Sequence, residues 1–147
     1  MSATGLKVFD ETLQLTNIWL KHVMESLETD DRHRAYLALR ATLHALRDRL
    51  TPEEALHLGA QLPMLVRGMY YEGWKPSQTP TRERHKADFL GHIAEAFRNE
   101  EVDEEAIARA VFALLAEKLT AGEVRKITHA LPAELREMWP SGDEGTG

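Results

Sequence analysis

Apolar residues return every three or four positions through most of the chain, the spacing at which a helix buries one face. From Phe9, the positions Leu13, Leu20, Met24 and Leu27 keep this period, and Ile18, Trp19 and Val23 widen the stripe. A helix over about 10–27, touching neighbours on two sides, is predicted. Thr29, Asp30 and Asp31 then supply N-cap chemistry for a second helix carrying Tyr36, Leu39, Leu43, Leu46 and Leu50 on one face. Arg34, Arg40, Arg47, Asp48 and Arg49 lie opposite, as a solvated face with ion pairs.

Thr51-Pro52-Glu53-Glu54 has the form of a capping box, in which threonine and glutamate satisfy each other's backbone amides. Proline suits the first helical position because its missing N–H would have no partner there. A short helix to about 60 follows, and Pro63 opens another to about 70. Residues 71–80 hold two prolines, a glycine and two aromatics, and read as an irregular connection. Helix resumes near Thr81, with Phe89, Leu90, Ile93, Ala96 and Phe97 inward. The next begins at Val102-Asp103, with Ile107, Val111, Phe112, Leu115 and Leu119 inward. Residues 141–147 are small and polar and are expected to be disordered.

Residues 36–70 align without a gap on 105–139, and ten of the 35 positions are identical. Thr51, Glu54, Leu62, Pro63, Arg67 and Met69 match Thr120, Glu123, Leu131, Pro132, Arg136 and Met138, and Tyr70 meets Trp139. Caps and core spacing are separate physical demands, so their joint recurrence points to duplication. The expected fold is therefore all-α. It is a single domain, 1–147, forming a bundle of about eight helices. Two units, about 9–74 and 80–140, would be related by pseudo-twofold symmetry.

The segments LRDRLTPEEA, LGAQLPMLVRGMYYEGW and LPAELREMWP resemble the bacterial family called domain of unknown function 2267, over about 9–140. The resemblance implies an all-helical, bacterial, cytoplasmic protein. It implies no activity and carries over no catalytic residues.

Composition narrows function mainly by exclusion. Apolar residues make up 43% and charged residues 29% of 147, within the range of ordinary globular domains. No cysteine is present, which excludes disulfides, thiolate metal sites and cysteine nucleophiles. The start lacks the basic and apolar regions of a signal peptide, and no apolar run is long enough to span a membrane. A net charge of −6 disfavours generic nucleic-acid binding. The helices after Thr51 and Thr120 are not consistently basic, so a DNA-reading helix pair is not expected. There is no nucleophile elbow, phosphate-cradling glycine loop or His-Glu-x-x-His, and no cofactor is called for.

Two clusters remain. Tyr71 and Trp74 have no counterpart in the second unit, and Arg82 and Arg84 follow them. Aromatics beside arginine are the composition of interface hot spots, suiting a homodimer or protein partner. The same rings could instead plug the seam between the units. His85, Asp88 and His92 stand three and four apart on one expected helix and could contribute to a metal site. The leading expectation is a non-enzymatic binding or interaction module. A small-ligand- or metal-binding bundle is the alternative.

Overall fold

A computed structural model describes residues 2–98 and 100–141. The tail expected to be disordered lies, from 142 onward, outside the described residues. Among them the chain forms eight α-helices and no strand. They are α1 (Lys7–Leu27), α2 (Arg32–Arg49), α3 (Pro52–Ala60), α4 (Met64–Tyr71), α5 (Lys86–Phe97), α6 (Glu104–Lys118), α7 (Ala121–His129) and α8 (Ala133–Arg136). A single 3₁₀ turn, Pro76–Gln78, lies in the connection between α4 and α5.

The caps sit where the side chains dictate. Asp31, Thr51, Asp103 and Thr120 each accept a hydrogen bond from an amide of the first turn that has no helical partner. At Thr51 both bonds of the capping box form: Glu54 N donates to Thr51 Oγ1 at 3.2 Å and Thr51 N to Glu54 Oε1 at 2.9 Å. At Thr120 the threonine caps alone, and Glu123 turns to Lys126 at 3.8 Å.

Two central helices organise the core. α2 and α6 pack on each other, and each also packs on both α1 and α5. α2 can do this because alanines alternate with leucines around it. Ala35, Ala38, Leu39, Leu43, Ala45 and Leu46 are all buried, so neighbours approach on several sides. α4 lies against α1, α2 and α3, α8 against α5, and α3 against α7. Phe112 of α6 stacks on Trp139 with ring centroids 4.5 Å apart and planes 11° from parallel.

Several residues 69 positions apart have the same local geometry. Leu50 and Leu119 are extended C-caps, Thr51 and Thr120 extended N-caps, and Pro63 and Pro132 precede α4 and α8. Arg67 donates from Nε to Gly59 O and from Nη2 to Leu62 O, both at 2.9 Å. Arg136 donates from Nε to Thr128 O at 3.1 Å and from Nη2 to Leu131 O at 2.9 Å. Each arginine thus satisfies carbonyls at the end of the preceding short helix, where helical partners run out.

Three sequence expectations need correction. Arg47 is not on a solvated face. It is 4% exposed, pairs with Asp48 at 2.8 Å, and donates from Nη1 to Tyr70 O and Glu72 O, both at 2.8 Å. These carbonyls end α4, so the charge is held by acceptors the helix leaves over. α5 starts at Lys86 rather than near Thr81. Residues 81–85 are instead held beside the end of α2, where Thr81 N donates to Asp48 O at 2.8 Å and Arg49 donates to Thr81 O. α1 begins at Lys7, and its buried line is Thr12, Thr16, Trp19, Leu20 and Val23. Phe9, Leu13 and Ile18, expected inward, are exposed.

Candidate functional site

The reason for that last difference lies in α4. Pro63, its N-cap, offers no side-chain acceptor, so the amide of Leu65 needs a partner from elsewhere. Thr12 supplies it, accepting from Leu65 N at 2.9 Å. Thr16 returns its own hydroxyl to Thr12 O at 2.7 Å. Two threonines therefore face the protein, and the apolar residues on either side of them are turned outward.

Apolar positions on α1 run from Ile18 round to Leu6, about 240° of circumference at roughly 100° per residue. The core covers only the middle of this arc. Two edges are left. Leu6, Phe9 and Leu13 form one, continued by Met64 and Leu65 of α4; Val8, Leu15 and Ile18 form the other. All eight side chains are between 37% and 53% exposed. Single exposed apolar residues are ordinary, but the five on the first edge, spread over two adjoining helices, make a patch of the kind that marks an interaction surface, and the second edge adds three more on the opposite flank of α1. Phe9, Leu13, Tyr36, Met64, Leu65 and Met69 line a groove of 930 Å³ along the first edge. Asp10 ties Thr4 to this end of the helix, accepting from Thr4 N at 3.0 Å and Thr4 Oγ1 at 2.8 Å, and also pairs with Ser2. The hydroxyls of Ser2 and Thr4 hold its carboxyl below the usual range.

A second concavity, of 340 Å³, lies between α2 and α5, with polar and charged side chains interleaved with Ala41, Ala45, Phe89 and Leu135. His44, Arg49, Thr81, Glu83, His85 and His92 are on its wall. His44 Nε2 donates to Met69 O at 2.8 Å, and burial lowers its pKa, with Arg47 and Arg40 adding to the effect. Burial also lowers the pKa of Arg49, with Arg84 contributing. Arg49 Nε and Thr81 Oγ1 are buried without a hydrogen-bond partner among the described residues.

The residues singled out from sequence fall into separate places. Tyr71 and Trp74 are half-buried and pack on the core. Tyr70, Tyr71 and Trp74 form a run of rings with centroids 5.0 and 5.4 Å apart. Tyr70 is fully buried, donates to Ala55 O at 2.7 Å, and has its hydroxyl pKa pushed up by burial. Tyr71 lies over Gly59, where an added Cβ would fall 2.6 Å from its Cζ. Arg82 and Arg84 are exposed, and among the described residues neither makes a cation–π contact with these rings; that contact joins Arg34 to Phe97 at 5.6 Å.

His85, Asp88 and His92 do not converge. His85 is the N-cap of α5 rather than part of it, and its Nδ1 lies 3.3 Å from Glu134 Oε2. His92 Nε2 pairs with Glu83 Oε1 at 2.8 Å, and Asp88 is exposed. Among the described residues no three His, Asp or Glu side chains gather in a way that could hold a metal ion. Glu134 instead caps α5 from a distance, accepting from Lys86 N at 2.7 Å, and that bond and His85 lower its pKa.

Sequence reasoning overlooked the α1 edges as a candidate site. The available signal was the breadth of the stripe: an apolar arc wider than one neighbour can cover, with threonines at its centre.

Among the described residues no helix is long and apolar enough to cross a membrane. A family model described as "Uncharacterized conserved protein (DUF2267)" matches residues 16–138. No curated protein matches the chain.

Proposed function

The chain belongs to that family of uncharacterized conserved proteins, whose function is unknown, and from that premise we propose that it is a non-enzymatic interaction module that docks through the exposed edges of α1. The observation that carries this is the set of eight large apolar side chains left in water on α1, its N-terminal approach and α4. A helix of 21 residues has been built with its central stripe used for folding and both flanks left uncovered. The family match starts at residue 16, so Leu6, Val8, Phe9, Leu13 and Leu15 lie before it. The docking role is therefore proposed for this chain rather than for the family.

We assign docking to α1 in preference to Tyr71, Trp74, Arg82 and Arg84, since the two rings pack on each other and on the core, and Tyr71 also on Gly59. We also read the fold as two units, about 9–74 and 80–140, related by a pseudo-twofold axis. Matched caps, prolines and arginine clamps 69 residues apart support this. In that scheme α5, at 12 residues, is the counterpart of the C-terminal part of α1, and the first turns of α1 are an addition peculiar to one unit. The lack of cysteine suits a reducing compartment, and we place the chain in the cytoplasm.

The test is to substitute Leu13→Lys and Ile18→Lys separately and melt each protein at a dilution where it is monomeric. If the edges serve docking, both variants keep their helicity and stay within about 0.5 kcal/mol of the parent, as exposed positions do. A loss of about 2 kcal/mol or more, the scale of core truncation, would show that these residues hold the fold and would end the proposal.

A second reading, a small-ligand site in the cleft between α2 and α5, is favoured by the unpartnered Arg49 Nε and Thr81 Oγ1. Arg49→Met would abolish ligand-induced thermal stabilisation under that reading and leave it unchanged under the first.

A further inference from the structure

The edge formed by Val8, Leu15 and Ile18 carries a charge pattern that names its occupant. Lys7 and Glu11 stand at one end of α1, and Lys21 and Glu25 at the other, in the order plus, minus, plus, minus. Lys7 Nζ lies 3.9 Å from Glu11 Oε2, both well exposed. Lys21 and Glu25 are exposed and make no ion pair among the described residues. Read backwards, the same series becomes minus, plus, minus, plus. A second α1 laid antiparallel on the first therefore meets opposite charge at all four positions.

Resting on the docking role proposed above, we propose that the occupant is a second copy of this chain, with the two α1 helices paired antiparallel about a twofold axis near Leu15 and Ile18. Such a contact is isologous: the same patch is used on both sides, so every pairing occurs twice. The charge pairs are centred at the level of residue 16, which brings Leu15 within one residue, about 1.5 Å along the axis, of Ile18 of the partner subunit. Lys7 then faces Glu25 of the partner subunit, and Glu11 faces Lys21 of the partner subunit. In an antiparallel pair, residues on the same flank of the two helices meet. At roughly 100° per residue Lys7 and Glu25 fall on one line of that flank, with Glu11 about 40° nearer the seam and Lys21 about 40° farther out, so the long lysine side chain reaches inward to its partner. Val8 extends the apolar seam outward from the centre. A parallel pairing would set like charge against like at each level, which disfavours it.

The edge is accessible for this. His22, on the same side of α1, is engaged within the chain, its Nε2 2.6 Å from Glu117 Oε1 of α6, and that bond lowers the pKa of Glu117. It holds this side of α1 against α6 one turn beyond Ile18, while Leu15 and Ile18 themselves remain 44% and 42% exposed.

Charge reversal in sedimentation velocity tests the register. Glu11→Lys places lysine against Lys21 of the partner subunit twice per dimer, and Lys21→Glu places glutamate against Glu11 of the partner subunit twice. Each variant alone should associate at least about tenfold more weakly than the parent at low salt. Mixed together they should form a heterodimer, because one chain then presents two lysines and the other two glutamates. The double variant Glu11→Lys with Lys21→Glu should recover the parental affinity. Variants that associate like the parent, or fail to recover when mixed, overturn the register. Should a variant lose helicity, Lys7→Glu and Glu25→Lys give the same test at the outer pair. A parent chain that stays monomeric at every concentration overturns the dimer. The docking role then still stands if Leu13→Lys and Ile18→Lys leave the monomer's melting unchanged, and falls with it if they do not.

Discussion

Gly59 gives the sharpest test of how the aromatic run is packed. Four glycines lie within helices: Gly59 in α3, Gly68 in α4, Gly91 in α5, and Gly122 in the first turn of α7. At Gly68 and Gly91 an added Cβ meets nothing within 4 Å. Replacing glycine by alanine in a helix interior gains about 1 kcal/mol, so Gly91→Ala should stabilise by about that much. At Gly59 the same gain is opposed. The new Cβ would fall 2.6 Å from Tyr71 Cζ and 3.1 Å from Cε2, so the ring must move. Tyr71 is held on its other sides by Tyr70 and Trp74. Overpacking of this kind costs about 1–3 kcal/mol, so Gly59→Ala should destabilise by about 1 kcal/mol net. For a chain of this size that lowers Tm by about 2–4 °C, while Gly91→Ala raises it by a similar amount. The clash should be specific. In a Tyr71→Ala background, Gly59→Ala becomes stabilising, and the double-mutant cycle shows positive coupling of about 2 kcal/mol. Urea unfolding of the four proteins measures this. If Gly59→Ala stabilises as much as Gly91→Ala, Tyr71 does not lie over α3 and the account of the cluster is wrong. The second unit is consistent with this logic: at positions 69 residues later stand Thr128 and Pro140, so a Cβ is present where the ring is not.

Two further outcomes follow from the buried polar groups. Arg47→Met keeps the packed stem but strips Tyr70 O and Glu72 O of their donor and Asp48 of its partner; about 3 kcal/mol of stability should be lost in urea unfolding, while Arg40→Met, at a half-buried arginine whose ion pair with Glu72 is solvated, should cost under about 1 kcal/mol. His44 is neutral in the folded state because burial lowers its pKa below 6.5. As pH falls through 6.5 the unfolded chain takes up a proton that the folded chain does not, so stability declines from there down to the folded pKa. His44→Gln should flatten the stability profile over that window, and an unchanged slope would show that His44 is not buried.

Much of the fold was legible because helices announce themselves locally. Thr51, Pro63, Thr120 and Pro132 fixed starts that depend only on neighbours a few residues away. What was not legible depended on distant partners. The stripe on α1 shows which residues can share a face but not which of them a neighbour covers. The need of Leu65 N for an acceptor, met by Thr12 across 53 residues, decided that. Arg47 read as surface because its acceptors are carbonyls at the end of α4, which sequence does not place beside α2. The start of α5 was misjudged because Glu134, from α8, supplies the cap. The His85–Asp88–His92 spacing assumed one continuous helix, and His85 stands outside it. The candidate surface was half-visible: Ile18 already made the stripe too wide for a simple inward face.

The central functional claim is that the uncovered edge of α1 meets a second copy of itself. Sedimentation equilibrium of the parent chain beside Ile18→Lys tests it most directly, with circular dichroism confirming equal helicity. The account predicts a concentration-dependent monomer–dimer equilibrium for the parent and a monomer for the variant. A parent that remains monomeric throughout, or a variant that dimerises as well as the parent, would contradict it.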